Sequence, residues 1–131
     1  MFATARGAAA YRHTHVQSSS PLELVVLLYN GLLEQLLATG QAFERNDLIA
    51  KRDHLSRAFA ILAELQSTLN MAEGGEIAVS LDTLYAYSID RLSDFNVKGD
   101  RAALDEVQRL LAPLRDAWTE IATARPAAVG R

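Results

Sequence analysis

Side chains that could do chemistry are few in this sequence, and their spacing does not assemble a site. His13 and His15 could both ligate a metal ion, but no third ligand follows to complete a coordination shell. His54 lies beside Leu55 in a helical pattern, which is more typical of a solvated histidine than of a catalytic one. No serine has a histidine and an acid at predictable positions. The sequence therefore predicts neither catalytic residues nor a metal site.

Cofactor binding is not indicated either. Gly74 and Gly75 are adjacent, and such a pair more often makes a turn than a phosphate-binding loop. Neither GxxxxGK[ST] nor GxGxxG follows a strand pattern. A di-iron centre in a helical bundle needs inward Glu-x-x-His pairs on two helices, and the sequence contains none. We therefore expect a protein that is not an enzyme and has no cofactor.

Composition narrows the class of partner and the compartment. The 131 residues suit one domain, and the charge of -3 with a pI of about 5.5 argues against nucleic acid as a partner. The absence of cysteine fits a reducing compartment. The apolar run from Leu24 to Tyr29 is far shorter than the roughly 20 residues that span a bilayer, and the N-terminus lacks a signal-peptide core. We expect a cytoplasmic protein without membrane insertion.

The hydrophobic spacing of the chain predicts helices. The first helix is predicted from Pro21 to about Arg45. Ser20 can cap it, Pro21 suits its first position, and Glu23 can complete a capping box. At about 100° per residue, one broad apolar stripe is predicted to face the core. Its members are Leu22, Val25, Val26, Tyr29, Leu32, Leu33, Leu36, Leu37 and Phe43.

The same helix carries a second apolar patch, which lies on the opposite side and consists of Leu24, Leu27, Leu28 and Gly31. Three structural explanations stay open: the helix is central in the bundle, it forms a homodimer interface, or the N-terminal arm covers it. The functional hypothesis is that the patch is the floor of a groove for an amphipathic helix of another protein. Gly31 would let that backbone come close, and Tyr11 and Val16 could cover the empty groove.

Three further helices are predicted from the spacing of apolar residues and from residues that favour helix ends. Asp47 can cap a second helix that ends near Asn70, the Gly74–Gly75 pair separates it from a third that runs to about Val97, and Asp100 can cap a fourth. Their predicted core stripes are Leu48, Leu55, Phe59, Leu62, Leu65 and Leu69; Ile77, Leu81, Leu84, Tyr85, Leu92 and Phe95 with Ala78 and Ser88; and Leu104, Val107, Leu111, Leu114, Trp118 and Ile121.

Pro113 interrupts the fourth helix, where it removes one backbone hydrogen bond at a cost of about 3 kcal/mol. We expect a kink there; the alternative is that the helix stops near Ala112 and another begins at Pro113. No strand-period segment of useful length occurs. We therefore predict an all-α fold, an antiparallel up-down four-helix bundle over residues 20–123. A flexible N-terminal arm or short helix over 1–19 precedes it, and a disordered tail over 124–131 follows.

The order of these segments resembles the flagellin-specific secretion chaperone family (FliS). The resemblance begins with Tyr11 and Val16 ahead of the Ser20–Pro21 helix start. It continues in LVVLLYNG at 24–31, RAFAILAEL at 57–65, GGEIA at 74–78, LDTLYAYSIDRL at 81–92 and EVQRLLAPLRDAW at 106–118. It covers nearly the whole chain. Each segment alone is mostly a helix pattern, whereas their order and spacing together are specific.

The resemblance implies a helical cytoplasmic chaperone that binds the C-terminal segment of flagellin, prevents its premature polymerisation and helps deliver it to the flagellar type III export apparatus. It implies no catalysis and no nucleotide. We expect a monomer whose partners include flagellar export components besides flagellin. In that family the client segment becomes helical as it wraps around the bundle. Asn30 stands where an acidic residue is common, and Pro113 and the alanine-rich arm are further departures. Tyr11, Val16, Leu24, Leu27, Leu28 and Gly31 are the predicted partner-binding residues.

The alternative function belongs to a different class. A helical bundle that dimerises through the same patch of the first helix would be a regulatory adaptor. Mass measured over a range of concentrations separates the two, because a constitutive dimer would bury the patch.

Overall fold

The predicted fold class is confirmed: the described part of the chain is an all-α bundle of four helices. The structure is a computed structural model that describes residues 20–129, with side chains described as far as Ala124. The helices are α1 (Pro21–Glu44), α2 (Leu48–Ser67), α3 (Met71–Lys98) and α4 (Arg101–Val129), and no strand occurs within the described range.

The start of α1 forms the capping box that its sequence predicts. The Ser20 hydroxyl accepts from the Glu23 backbone N–H at 3.1 Å, and the Glu23 carboxylate accepts from the Ser20 N–H at 2.9 Å. At the other end, Asn46 adopts a left-handed φ of 59°, and the Asp47 carboxylate caps α2 by accepting from the Ala50 N–H at 3.1 Å. The connection is therefore short enough to force α1 and α2 to lie antiparallel.

The third helix starts earlier than predicted. Asn70 caps a first turn that begins at Met71, and the glycine pair lies inside the helical span instead of ahead of it. The helix is nevertheless broken at Gly75, whose φ of 53° and ψ of -130° are not helical. Glycine reaches this region without the Cβ clash that other residues meet. The glycine pair thus marks a kink between the first turn and the long remainder of α3.

Gly75→Ala should destabilise the bundle by about 1–3 kcal/mol, because the strained φ is retained while no packing is gained. A Cβ built at Gly75 meets nothing within 4 Å, so the cost comes from the backbone alone. Gly31→Ala is the matched control, since its Cβ would contact Ile61 Cδ1 at an ordinary 3.6 Å and alanine favours the helix by about 0.5–1 kcal/mol. Urea unfolding of both variants measures the difference; equal stabilities would show that the kink is not strained.

Neighbouring helices pack as a ring of four. Helix α1 contacts α2 and α4, and α3 contacts the same two helices. Specific pairs fix the antiparallel directions. The His54 Nδ1 lies 2.8 Å from the Gln35 Oε1, Arg101 Nη1 lies 3.0 Å from the Glu44 carboxylate, and the Gln66 amide donates to Asp82 at 3.2 Å. The N-terminus of α1 and the C-terminus of α4 therefore meet at one end of the bundle.

The centre of the ring is mostly apolar and contains a pair of hydrogen-bonded tyrosine hydroxyls. Tyr29 and Tyr85 approach across the ring from α1 and α3, with their hydroxyl oxygens 2.6 Å apart. Burial raises the pKa of both phenols, so both remain neutral donors and acceptors for each other. Around them pack Leu28, Leu32, Leu36, Leu55, Leu62, Leu65, Leu92, Phe95, Leu104, Val107 and Leu111, all buried.

Four positions predicted to be core are instead exposed. The exposed fractions are 56% for Leu37, 68% for Leu48, 71% for Ile77 and 48% for Ile121. Leu37 lies on the side of α1 away from buried Leu28, where neither neighbouring helix covers it. Leu48, Ile77 and Ile121 hold core positions in their stripes, but they lie toward helix ends. A periodic pattern records the face of a helix, not how far its partners extend along it.

Helix α4 is continuous through Pro113, so the alternative of a stop near Ala112 is wrong, and the expected kink stays a prediction. Proline has no N–H, so Pro113 cannot make the helical hydrogen bond to the Arg109 carbonyl. Pro113 is exposed, so that carbonyl lies on the solvent side of the helix. The helical backbone continues to Val129, past residue 124 where the sequence predicts a disordered tail.

One described helix, α1, is long and apolar enough to cross a membrane by length and composition. The same property belongs to a core helix with two packing partners. Helix α1 has both α2 and α4 as neighbours and contributes several fully buried side chains.

Candidate functional site

Among the described residues, an apolar cavity lies at the end of the bundle where α1 begins. A cavity of about 410 Å³ opens there between the first turns of α1 and the last described turns of α4. It is lined by Ser20, Pro21, Leu22, Val25, Trp118 and Ile121. Ile77, near the start of α3, lies at the same end because α1 and α3 run parallel. We call the cavity-lining residues and Ile77 the open end.

The side chains of the open end are of the kind that a core buries. Val25 and Trp118 belong to apolar stripes whose other members are fully covered, and both pack partly against the core cluster. Ile77 and Ile121 continue the stripes of α3 and α4 by one further step and are largely uncovered. The apolar stripes of the helices thus extend further toward this end than the helices cover one another. Such a surface is typical of a site for another apolar segment.

Trp118 connects the cavity with the interior. Its indole Nε1 is buried and makes no hydrogen bond of acceptable geometry, although the indole is close enough to Tyr29 to lower the pKa of that phenol slightly against the larger effect of burial. The ring therefore has one edge toward the central tyrosine pair and contributes to the cavity wall on another. Because Trp118 is the only tryptophan of the chain, it is a specific optical probe of this cavity.

The structure places the predicted binding residues of α1 at buried or partly buried positions. Leu28 is 0% exposed, so its assignment to a surface groove is wrong. Gly31 faces Ile61, and Leu24 is partly buried against the core cluster. Leu27 is also partly buried. Of the three structural explanations for the second patch, central packing accounts for Leu28 and Gly31, because α1 has a packing partner on each of two sides.

Tyr11 and Val16, together with His13 and His15, lie outside the described residues. The remaining partner-binding predictions therefore concern the edge residues Leu24 and Leu27. Sequence reasoning missed Leu22, Val25, Trp118, Ile77 and Ile121 as site residues because it assigned all of them to the core. A usable signal was present: each of them lies within a few residues of the end of its apolar stripe.

The opposite end of the bundle also exposes apolar residues, but among charges. Leu48, Ile49 and Val97 are more than half exposed there. A cavity of about 620 Å³ at this end is lined by Arg45, Asn46, Asp47, Leu48 and Ile49, and Arg45 pairs with Asp47 at 3.7 Å. The cavity is thus bounded by the short turn between α1 and α2. Of the residues that line it, only Leu48 belongs to a predicted core stripe.

A polar cluster fastens α3 to α4 away from the open end. Glu106 accepts from the Tyr87 hydroxyl at 2.6 Å and from Arg91 Nε at 2.7 Å. These two hydrogen bonds lower the pKa of the Glu106 carboxyl, and the bond to Glu106 raises the pKa of Tyr87. Arg91 also pairs with Asp94 at 3.0 Å. Tyr87, although exposed, is therefore engaged within the bundle.

Metal-ligating groups do not converge over the described side chains. No set of three or more His, Asp and Glu residues between Ser20 and Ala124 is arranged to hold an ion. The groups with shifted pKa values are the central tyrosines and the surface ion pairs, each explained by a partner in the bundle. The arrangement offers surface for binding, and apolar contact is its main chemistry.

Fold and site together define an all-α binding protein with an apolar opening at one end of a four-helix bundle. Comparison with known proteins then identifies the family. The family model described as flagellar protein FliS matches residues 4–125. The flagellar secretion chaperone FliS of Salmonella typhimurium strain LT2 is 37% identical over 123 residues, which cover 90% of this chain and 91% of that protein.

Two further relatives are similar over nearly the same region. The flagellar secretion chaperone FliS of Bacillus subtilis strain 168 is 36% identical over 111 residues, which cover 85% of this chain and 82% of the relative. The flagellar secretion chaperone FliSB of Pseudomonas aeruginosa is 37% identical over 106 residues, covering 81% and 84%. This chain belongs to the FliS family of flagellar secretion chaperones, as the order of its sequence segments predicts.

Proposed function

We propose that this protein is a flagellar export chaperone that binds the C-terminal segment of flagellin in the cytoplasm. Binding would prevent premature polymerisation of flagellin and help deliver it to the flagellar type III secretion apparatus. Membership of the FliS family supports the role as a secretion chaperone. The client, the compartment and the delivery step rest on the family resemblance.

The observation that carries the proposal is the set of core-type side chains left open at one end of the bundle. Val25, Trp118 and Ile121 line a cavity there, and Ile77 is 71% exposed at the same end. Covering an apolar side chain of this size is worth about 1.5–3 kcal/mol. A client segment with matching apolar residues would gain that free energy on binding and would shield its own apolar face from other copies of itself.

A segment that is unfolded alone suits this surface. When an apolar segment folds into a helix against a groove, part of the interaction free energy offsets the entropy lost in ordering it. The client would continue from the open end along the bundle as an amphipathic helix. Leu37, exposed on α1, marks one line along which it could extend, and the predicted contacts Tyr11, Val16, Leu24 and Leu27 stay candidates.

The test is a calorimetric titration of the full chain with full-length flagellin and with flagellin that lacks its C-terminal helix. We expect saturable one-to-one binding of the full-length client and at least a tenfold loss, about 1.4 kcal/mol, on truncation. Sedimentation of the chaperone alone should give a monomer at all concentrations. Equal affinity for both clients would contradict the assignment of the C-terminal segment, and absence of binding to either would contradict the proposed client.

A further inference from the structure

A buried hydrogen-bond donor next to the open end has no acceptor. The indole Nε1 of Trp118 is excluded from solvent and makes no hydrogen bond with any described residue. Indole has this single donor and no acceptor, so no change of tautomer or rotation of a hydroxyl can satisfy it. A buried donor that is left unpaired costs stability, and such groups are rare in folded proteins. The unpaired N–H of Trp118 therefore needs a physical explanation.

An acceptor with spare capacity lies beside the indole. Tyr29 is 0% exposed, and its hydroxyl oxygen lies 2.6 Å from that of Tyr85. This bond leaves capacity on the Tyr29 oxygen, because a phenolic hydroxyl can donate one hydrogen bond and accept others. Burial raises the pKa of Tyr29, while Tyr85 and Trp118 lower it by a smaller amount. The indole N–H is therefore near the Tyr29 oxygen but is not placed to bond it.

The packing of α1 against α4 places Trp118 between this oxygen and the cavity. Arg115 Nη1 of α4 lies 3.3 Å from Asn30 Oδ1 of α1. Because the two helices are antiparallel, Trp118, three residues after Arg115, is level with the turn of α1 that runs from Val25 to Tyr29. Those two residues are four positions apart and share a face of the helix. Val25 and Trp118 both line the cavity, so one side of the indole is available to an occupant.

We propose that Trp118 is a movable contact of the open end and that Tyr29 is the residue that positions it. An occupant of the cavity packs against the outer side of the indole, and the Nε1–H then closes onto the Tyr29 oxygen. Since the hydrogen bond forms only in the occupied state, its free energy adds to the affinity for the occupant. Tyr29 itself touches no occupant, because its side chain is fully buried. The inference rests on the proposed function for the identity of the occupant, which is the client segment.

The test follows the indole N–H by nitrogen-15 NMR of the full chain, which gives one such signal because Trp118 is the only tryptophan. On addition of an unlabelled, tryptophan-free C-terminal segment of flagellin, we expect the proton signal to move downfield and to exchange more slowly with water. Tyr29→Phe removes the acceptor and keeps the ring, so the downfield movement should be absent and the dissociation constant should rise about tenfold. Tyr85→Phe is the matched control, because it removes the other hydroxyl of the buried pair. It should keep the downfield movement and leave the dissociation constant within about twofold.

Val25→Phe separates this inference from the proposed client. The larger side chain fills part of the cavity from within the chain, so we expect the downfield signal without any client and its loss when Tyr29→Phe is added. If the flagellin segment does not bind, only the proposed client is contradicted, and the signal of Val25→Phe decides the inference.

Three results would overturn the inference. The first is a signal that does not move downfield in the saturated complex or, without binding, in Val25→Phe. The second is a downfield movement that persists in Tyr29→Phe, because the acceptor would then be another group. The third is an equal rise of the dissociation constant in Tyr29→Phe and Tyr85→Phe, because affinity would then follow core stability. Circular dichroism melting confirms that each variant remains folded, and Val25→Phe retains Tyr29 and so tests the hydrogen bond even if Tyr29→Phe unfolds.

Discussion

Leu28→Asp is expected to abolish the folded bundle. Leu28 is 0% exposed and belongs to the cluster that all four helices bury together. Truncation of a buried leucine alone costs about 2–5 kcal/mol, and a carboxylate without a partner in the interior adds several more. The sum reaches the total stability of an ordinary domain, about 5–15 kcal/mol. The variant should show little helical signal in circular dichroism at 25 °C and no cooperative melt.

Leu37→Asp on the same helix is the matched control. Leu37 is 56% exposed, so the same substitution replaces a side chain that solvent already reaches, and stability should change by less than about 1 kcal/mol. If Leu28→Asp instead melts like the wild type, the second apolar patch of α1 is a surface after all. The packing of α1 between two neighbours would then be wrong.

Ile77→Asp combined with Ile121→Asp should remove client capture while the bundle stays folded. Both side chains are about half exposed or more, so folding loses little. Loss of each isoleucine would remove about 1.5–3 kcal/mol of binding free energy, which burial against the client otherwise supplies. Each new carboxylate would also be desolvated against an apolar client, which weakens binding further. We expect at least a hundredfold loss of affinity for the flagellin C-terminal segment by calorimetry, about 2.7 kcal/mol.

The control for that pair is Val97→Asp, at the far end of α3. Val97 is 80% exposed, which makes it as tolerant of charge as the isoleucines, and it lies away from the open end. Its affinity for the client should match that of the wild type within about twofold. A similar loss in Val97→Asp would mean that general surface charge, and not the open end, governs capture.

Much of the fold is predictable from the sequence because local signals at helix ends are strong. Ser20 with Glu23 specifies the start of α1, and Asp47 specifies the start of α2, through hydrogen bonds within one turn. The glycine pair marks the break in α3, although the cap at Asn70 sets the helix start one turn earlier. Capping is local chemistry, so sequence reading finds it.

The site is harder to predict because burial depends on neighbours. The periodicity of α1 places Leu28 and Leu37 on opposite faces, and only the positions of α2 and α4 decide which of the two faces is covered. Likewise Ile77 and Phe95 belong to the same stripe of α3, yet one is exposed and the other buried. The difference is their position along the helix relative to the ends of its partners. No pattern within a single helix contains that information.

The fluorescence of Trp118 on addition of a tryptophan-free C-terminal segment of flagellin tests the central claim most directly. Trp118 is the only tryptophan and lines the open cavity, so its emission is sensitive to occupancy of that cavity. A bound apolar segment should exclude water from the indole, shift the emission to shorter wavelength and reduce quenching by iodide, with the same midpoint as the calorimetric titration. Unchanged emission and quenching at saturating client would show that the client binds elsewhere and would contradict the assignment of the open end.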